Sequence, residues 1–319
     1  MERLTINSYS GHLKKLHGER VQKITMDAGF TCPNRDGAKG VGGCTYCNND
    51  TFAPPKLVSA LSIKEQIDHG IKISKRKYKN VKKFYAYFQA YSNTYAPLEK
   101  LKELYSQALE HPEVIGLCIG TRPDCVDEQK LDYLEQLAKD YDVTLEYGLE
   151  SISDETLLKI NRCHDYQCFV DTVNNTKNRG IKICTHIILG FPWENRAHWI
   201  NTAKELSKLP LDYLKIHQLH VVKYTQMANE YVKNPFKMLS KDEYLDIMTE
   251  FLAHLNPKIV IQRLAGSAPL DMLVSPSWGE KISDISTELS ALMESKGLYQ
   301  GIFYPQVDLL GLSAGHFEV

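Results

Sequence analysis

Short apolar, β-branched runs alternate along the chain with longer amphipathic ones. Runs at 21–27 (VQKITMD), 83–89 (KFYAYFQ), 114–119 (VIGLCI), 143–149 (VTLEYGL), 181–189 (IKICTHIIL) and 213–219 (YLKIHQL) read as strands. Helical periodicity occupies 62–78, 97–110, 127–140, 153–160 with 165–179, and 195–208. Ser62 followed by Glu65 is a capping-box start, and Gly180 after Lys177 and Arg179 reads as a helix stop. Six βα units in succession predict a parallel sheet wrapped by helices. Right-handed crossovers make that an α/β fold, a full or partial TIM-type barrel or an open doubly wound sheet.

The first connection breaks the rhythm. Residues 28–61 form a long stretch rich in Gly, Pro, Asn and Cys, and so long a loop in a compact domain is usually functional. In a barrel it sits at the C-terminal ends of the strands, where active sites are built. After residue 222 a helix near 240–254, a strand near 258–263 (KIVIQR), a loop with Pro269 and Pro276, and a helix near 279–296 are expected. This predicts a core over 1–222 and a small C-terminal α/β extension over 223–319 packed on it.

Composition changes little in that picture. With 43% hydrophobic and 24% charged residues the chain has the balance of an ordinary globular protein. A net charge of −1 gives no overall field toward nucleic acid or an anionic membrane, so any such attraction must be local. The N-terminus lacks the apolar core of a secretory signal and no run is long enough to span a bilayer. A cytoplasmic setting is therefore expected, in which the eight cysteines stay reduced.

Cysteine spacing carries the chemistry. Cys44 and Cys47 form a CxxC, and Cys32 stands twelve residues before Cys44. Soft thiolates at such spacing select zinc or iron–sulfur clusters. Structural zinc wants four ligands, and no cysteine follows until Cys118. Three local thiolates suit a cubane cluster with one iron open to substrate. A redox pair, a zinc knuckle completed by His17 or His69, and buried unligated thiols are the rival readings. Cys118, Cys125, Cys163, Cys168 and Cys184 read as structural.

The segment DAGFTCPNRDG…GVGGCTYC resembles the radical S-adenosylmethionine (SAM) proteins related to the Elongator catalytic subunit, in particular their short bacterial YhcC/YtqA branch. The resemblance spans nearly the whole chain and implies a partial (β/α)6 TIM-type radical SAM barrel. It implies a [4Fe-4S] cluster on Cys32, Cys44 and Cys47 whose open iron chelates SAM. One electron, from a donor such as flavodoxin or ferredoxin, then cleaves SAM to a 5′-deoxyadenosyl radical. The matching strand ends imply SAM contacts from Gln89 and Tyr91, from Thr121, from Glu150 to the ribose and from Arg162 to the carboxylate. In the Gly120-Thr121-Arg122-Pro123-Asp124 segment, Gly120 replaces the family's acidic residue. Similarity to oxygen-independent coproporphyrinogen oxidases sets His186 near the ribose and Gly190 and Pro192 beside the adenine. No acetyltransferase or cobalamin-binding segment is apparent, so neither acetyl-CoA nor B12 is expected.

For the substrate, Lys72, Lys75, Arg76, Lys77, Lys79, Lys82 and Lys83 concentrate positive charge around one helix end. They read either as a solvated face or as a phosphate-tracking RNA patch. The resemblance favours tRNA, with conversion of wobble 5-carboxymethylaminomethyl-uridine to 5-aminomethyl-uridine. His217, His220, Lys223 and Tyr224, at and after the sixth strand, are then candidates to line the barrel mouth, Lys223 holding the substrate carboxylate. A radical SAM enzyme for a small molecule or protein is the alternative, and a zinc-stabilised RNA-binding module the reading from another class.

Overall fold

The apolar runs form strands where the pattern puts them. In the computed structural model residues 4–305 are described, apart from 52, 54, 280 and 281. The chain begins with α1 (Tyr9–His17), β1 (Val21–Met26), α2 (Lys56–Ser59), α3 (Ile63–Lys77), β2 (Lys83–Phe88), α4 (Leu98–Leu109) and β3 (Val114–Thr121). It continues through α5 (Glu128–Leu137), β4 (Asp142–Glu150), α6 (Asp154–Lys159), α7 (Tyr166–Thr176), β5 (Lys182–Leu189), α8 (Arg196–Leu206) and β6 (Tyr213–Gln218). The last part holds β7 (Val221–Val222), α9 (Gln226–Lys233), α10 (Lys241–His254), β8 (Val260–Arg263), β9 (Leu273–Ser275) and α11 (Ile282–Ser295).

Seven strands make one parallel sheet in the order β1-β2-β3-β4-β5-β6-β8, with β7 and β9 as a small antiparallel ribbon. Helices cover its outer face. Helix α3 starts on the Ser62–Glu65 capping box and buries Ile63, Ile67 and Ile71, one stripe at helical spacing. Each such burial contributes roughly 1.5–3 kcal/mol. Gly70 is required there, because a Cβ would lie 2.3 Å from Cγ2 of Ile24 on β1.

The sheet curls into a partial barrel. Neighbouring strands lie about 4.8 Å apart, so β2 and β6 in a flat sheet would be separated by roughly 19 Å. Instead Lys215 Nζ on β6 donates to Tyr87 Oη on β2 at 2.9 Å, and Lys23 on β1 reaches Glu146 on β4 at 2.5 Å. The edge strands β1 and β8 do not pair with each other. The start of the chain covers the gap: Ile261 N donates to Asn7 O, and the Tyr9 ring meets Tyr213 edge-on.

The strand near 258–263 is β8, and it joins the parallel sheet as its seventh strand. Strand β6 has a free edge, and α10 provides the crossover that brings β8 onto it in parallel. A boundary at residue 222 therefore cuts through the sheet. Residues 306–319 of the expected extension lie outside the described residues.

Candidate active site

The loop after β1 folds over the C-terminal ends of the strands. Cys47 N donates to Cys44 O, and Arg35 N to Cys32 O, so each cysteine caps a tight turn. Gly43 sits at φ +85°, and a Cβ there would lie 2.8 Å from Arg35 Nε, which leaves only glycine. Donors point at the sulfurs: Asn34 Nδ2 and Arg162 Nη1 both lie 3.5 Å from Cys44 Sγ, and Asn49 Nδ2 lies 3.9 Å from Cys47 Sγ. Such donors stabilise thiolates and tune a bound cluster. Burial and the nearby Cys44 push the Cys47 thiol up to about 11. It keeps its proton unless a metal replaces it.

Cys32, Cys44 and Cys47 line one cavity. Among the described residues, three ligand atoms within 4.8 Å of one another occur at Glu146, Cys184 and His186 and not in the cysteine loop. Neither histidine proposed for a zinc knuckle joins the loop thiols: His17 bonds Tyr85 Oη, and His69 is exposed on α3. The Glu146 group is itself a poor cation site, because Lys23 holds Oε1 while Lys215 and His186 hold Oε2.

Beside the thiols the end of β4 makes a cradle. A bulge shifts the β4–β5 register at Gly148/Glu150, and Glu150 takes the left-handed φ of 76°. Its carboxylate faces Arg162 at 3.6 Å, and Arg162 donates to Gly148 O. A Cβ on Gly148 would come within 2.6 Å of Arg162 Nη2 and 2.7 Å of Glu150 Oε1. Burial pushes the Glu150 carboxyl up against the pull of Arg162. Three polar atoms along this wall, Ser92 Oγ, Arg122 Nη1 and Arg162 Nε, are buried without a hydrogen-bond partner among the described residues. Unsatisfied donors and hydroxyls next to a carboxylate fit a ligand carrying an amine, a carboxylate and ribose hydroxyls, as SAM does. Gln89, Tyr91, Thr121 and His186 line the same cavity.

Other expected site residues fall elsewhere. Gly190, at φ +105°, packs against Leu239, and Pro192 is exposed, so neither lines the cavity. The Gly-Phe-Pro turn instead seats Phe191 against Trp193 and Tyr46. His217 and His220 do line it, whereas Lys223 and Tyr224 do not. Both point outward at the rim, Tyr224 being 86% exposed, while Lys223 O accepts from cavity-lining Asn48. The basic stretch is also relocated. Helix α3 runs back from the loop, so Lys72, Lys75, Arg76, Lys77, Lys79, Lys82 and Lys83 gather at the N-terminal end of the strands. Lys75 pairs there with Glu113, and Lys83 with Glu19. One strand length, roughly 17–20 Å, separates this patch from the mouth.

The sequence signals His186 and His217 but not the buried charges they meet on the cavity floor. Inward-facing Lys23, Tyr87, Glu146, His186, Lys215 and His217 meet in a barrel interior that aliphatic side chains usually fill. Burial opposes the charge on Glu146, but Lys215, Lys23 and His186 hold its carboxyl well below the usual range. Burial brings Lys215 down to about 8, and His186 and His220 each to about 4, so both imidazoles are neutral at pH 7.

A family match agrees with this geometry. Residues 32–206, which begin at the first loop cysteine, match the radical SAM superfamily, and residues 211–294 match the radical SAM C-terminal domain. This chain belongs to the radical SAM superfamily. The uncharacterized protein YtqA of Bacillus subtilis is 35% identical over 93% of this chain and 92% of its own length. Protein YhcC of Escherichia coli is 36% identical over 92% of the chain and 94% of its own. A more distant relative is the tRNA uridine(34) acetyltransferase of Methanocaldococcus infernus, 25% identical over 63% of this chain but only 39% of its own length. The solved Elp3 of the same archaeon superposes with a TM-score of 0.68 at 17% identity, over 88% of this chain and 64% of that one. This radical SAM enzyme therefore has Elp3-like relatives, and its cofactors are a [4Fe-4S] cluster and SAM. Among the described residues no helix is long and apolar enough to cross a membrane.

Proposed function

We propose that this radical SAM enzyme acts on the wobble uridine of tRNA, converting 5-carboxymethylaminomethyl-uridine to 5-aminomethyl-uridine. The observation that carries the reading is one shared cavity: the loop thiols and the Glu150–Arg162 cradle open onto the same space as His217, His220 and the polar floor. A base turned out of an anticodon loop enters such a mouth at modest cost and meets both walls. The relation to a tRNA uridine(34) acetyltransferase supports the same substrate class.

In this reading Cys32, Cys44 and Cys47 hold the cluster. Glu150, Arg162, Gln89, Tyr91, Thr121 and His186 hold SAM. When bound, the two cofactors would supply one-electron cleavage of a sulfur–carbon bond and hence an acceptor for one hydrogen atom of the carboxymethyl group. Loss of one further electron, with the cluster as acceptor, and attack by water would break the N–C bond and release the two carbons as glyoxylate. A cytoplasmic flavodoxin or ferredoxin provides the electron. His217 and His220, neutral in their buried setting, act as hydrogen-bonding walls for the base, not as cations. At the rim, the exposed Tyr224 ring offers a stacking surface for a flanking nucleotide, and Lys223 a point charge for its phosphate. The basic end of α3 is too far from the mouth to touch the base and meets only distant phosphates.

Mass analysis of digested tRNA from a strain lacking the gene tests this. Accumulation of the carboxymethylaminomethyl nucleoside, with loss of the aminomethyl form and its derivatives, is expected. An unchanged nucleoside profile would direct the same cavity toward a small molecule or protein.

A further inference from the structure

The charges around the cavity do not balance at its floor. Its lining carries two carboxylates, Glu146 and Glu150. Glu150 faces Arg162 on the cluster side, and Glu146 is already shared by Lys23, Lys215 and His186. Of the other lining arginines, Arg122 is answered by Asp124 and Arg35 by the Cys47 carbonyl. Arg263 is different: no carboxylate among the described residues pairs with its guanidinium. It ends β8 directly opposite Lys215 in the β6–β8 register, so the two side chains enter the cavity together. The wall beside them is fixed, since Gln218 holds Gly266 through both amide atoms, at 2.7 and 3.1 Å.

We propose that Arg263, with Lys215 beside it, is the subsite for a carboxylate carried by the substrate. This rests on the wobble-uridine reading and names the group by which that substrate is recognised. A guanidinium presents a planar fork that matches a carboxylate through two parallel hydrogen bonds. Lys215 is held rigidly, bonded to Tyr87 Oη and lying over that ring at 4.4 Å, so it adds a fixed positive charge. Depth selects a carboxylate on a base over a backbone phosphate. Lys215 is buried two residues below His217 on β6, and a substituent on an inserted base reaches that level while the polynucleotide backbone stays at the rim. The subsite replaces the role that sequence reasoning gave to Lys223, which points away from the cavity.

The test uses the anaerobically reconstituted holoenzyme and two anticodon stem-loop RNAs. One carries 5-carboxymethylaminomethyl-uridine at the wobble position, and the other carries 5-aminomethyl-uridine, which lacks the carboxylate. Wild type should bind the first roughly 30-fold more tightly, the scale of one desolvated charge pair. Arg263→Gln should lose that preference, to within about threefold, while Arg263→Lys keeps part of it because the charge remains without the fork. The Lys variant also decides the matter should the Gln variant fold poorly. A preference that survives Arg263→Gln would overturn the subsite while leaving the wobble-uridine reading intact. Equal, tight binding of the two RNAs by wild type would overturn the subsite alone, and binding of neither would overturn both.

Discussion

Cys44→Ala abolishes cluster binding: after reconstitution under nitrogen the variant retains almost none of the iron and sulfide held by wild type. Cys44 is buried and is the sulfur at which Asn34 and Arg162 both aim their donors. Removing it leaves two thiols, which cannot hold a cubane in place. It also leaves the Arg162 guanidinium facing an empty wall with its Nε already unpartnered. Formation of 5′-deoxyadenosine from SAM should fall to the level of buffer alone, a loss of several orders of magnitude. Iron and sulfide assays with the matching Cys118→Ala variant separate ligation from general damage, because Cys118 sits inside β3 and away from the loop. Wild-type iron content in Cys44→Ala would remove this thiol from the site.

The second large effect is on stability. Among the described residues Glu146 is the carboxylate that answers Lys23 and Lys215, with Glu146 and Lys215 buried and Lys23 mostly so. Glu146→Gln keeps the shape but removes the charge, so the buried Lys23 and Lys215 lose their counter-ion and must either stay charged without a partner or give up a proton. Removing one partner of a buried charge pair costs about 3–5 kcal/mol, because the survivor stays desolvated. Urea unfolding of the cluster-free protein should show a midpoint shift corresponding to that loss. Adding Lys215→Met to Glu146→Gln should recover part of it, since one unpaired buried amine is gone. A shift worth under about 1 kcal/mol would mean that water already reaches these groups.

These charges also mark where the sequence stopped being readable. The strands were legible because parallel strands covered on both faces are nearly continuous in apolar character. Lys23, Glu146 and Lys215 interrupt such runs in VQKITMD, VTLEYGL and YLKIHQL, and a charge in a strand reads as a solvated position. Only closure of the sheet turns them toward one another. Strand β8 is legible as a strand, but nothing in KIVIQR says which edge it pairs with. Cysteine spacing alone narrows the loop to soft-metal chemistry or a redox pair, and the family resemblance is what singles out a cluster. The basic stretch was legible as charge but not as place. Topology supplies the place: a helix that follows a barrel strand runs back, so its last turn lies at the end opposite the mouth. Lys223 and Tyr224 were drawn in by their position after β6, but the β7–β9 ribbon directs them outward.

The most direct test of the account couples the cofactor to the substrate in one tube. Reconstituted enzyme, SAM, a reductant and tRNA bearing 5-carboxymethylaminomethyl-uridine are incubated without oxygen, and both 5′-deoxyadenosine and the wobble nucleoside are quantified. The account predicts that the two products, 5′-deoxyadenosine and 5-aminomethyl-uridine, rise together and that neither forms with Cys44→Ala. Deoxyadenosine formation indifferent to the tRNA, with the nucleoside unchanged, would contradict it.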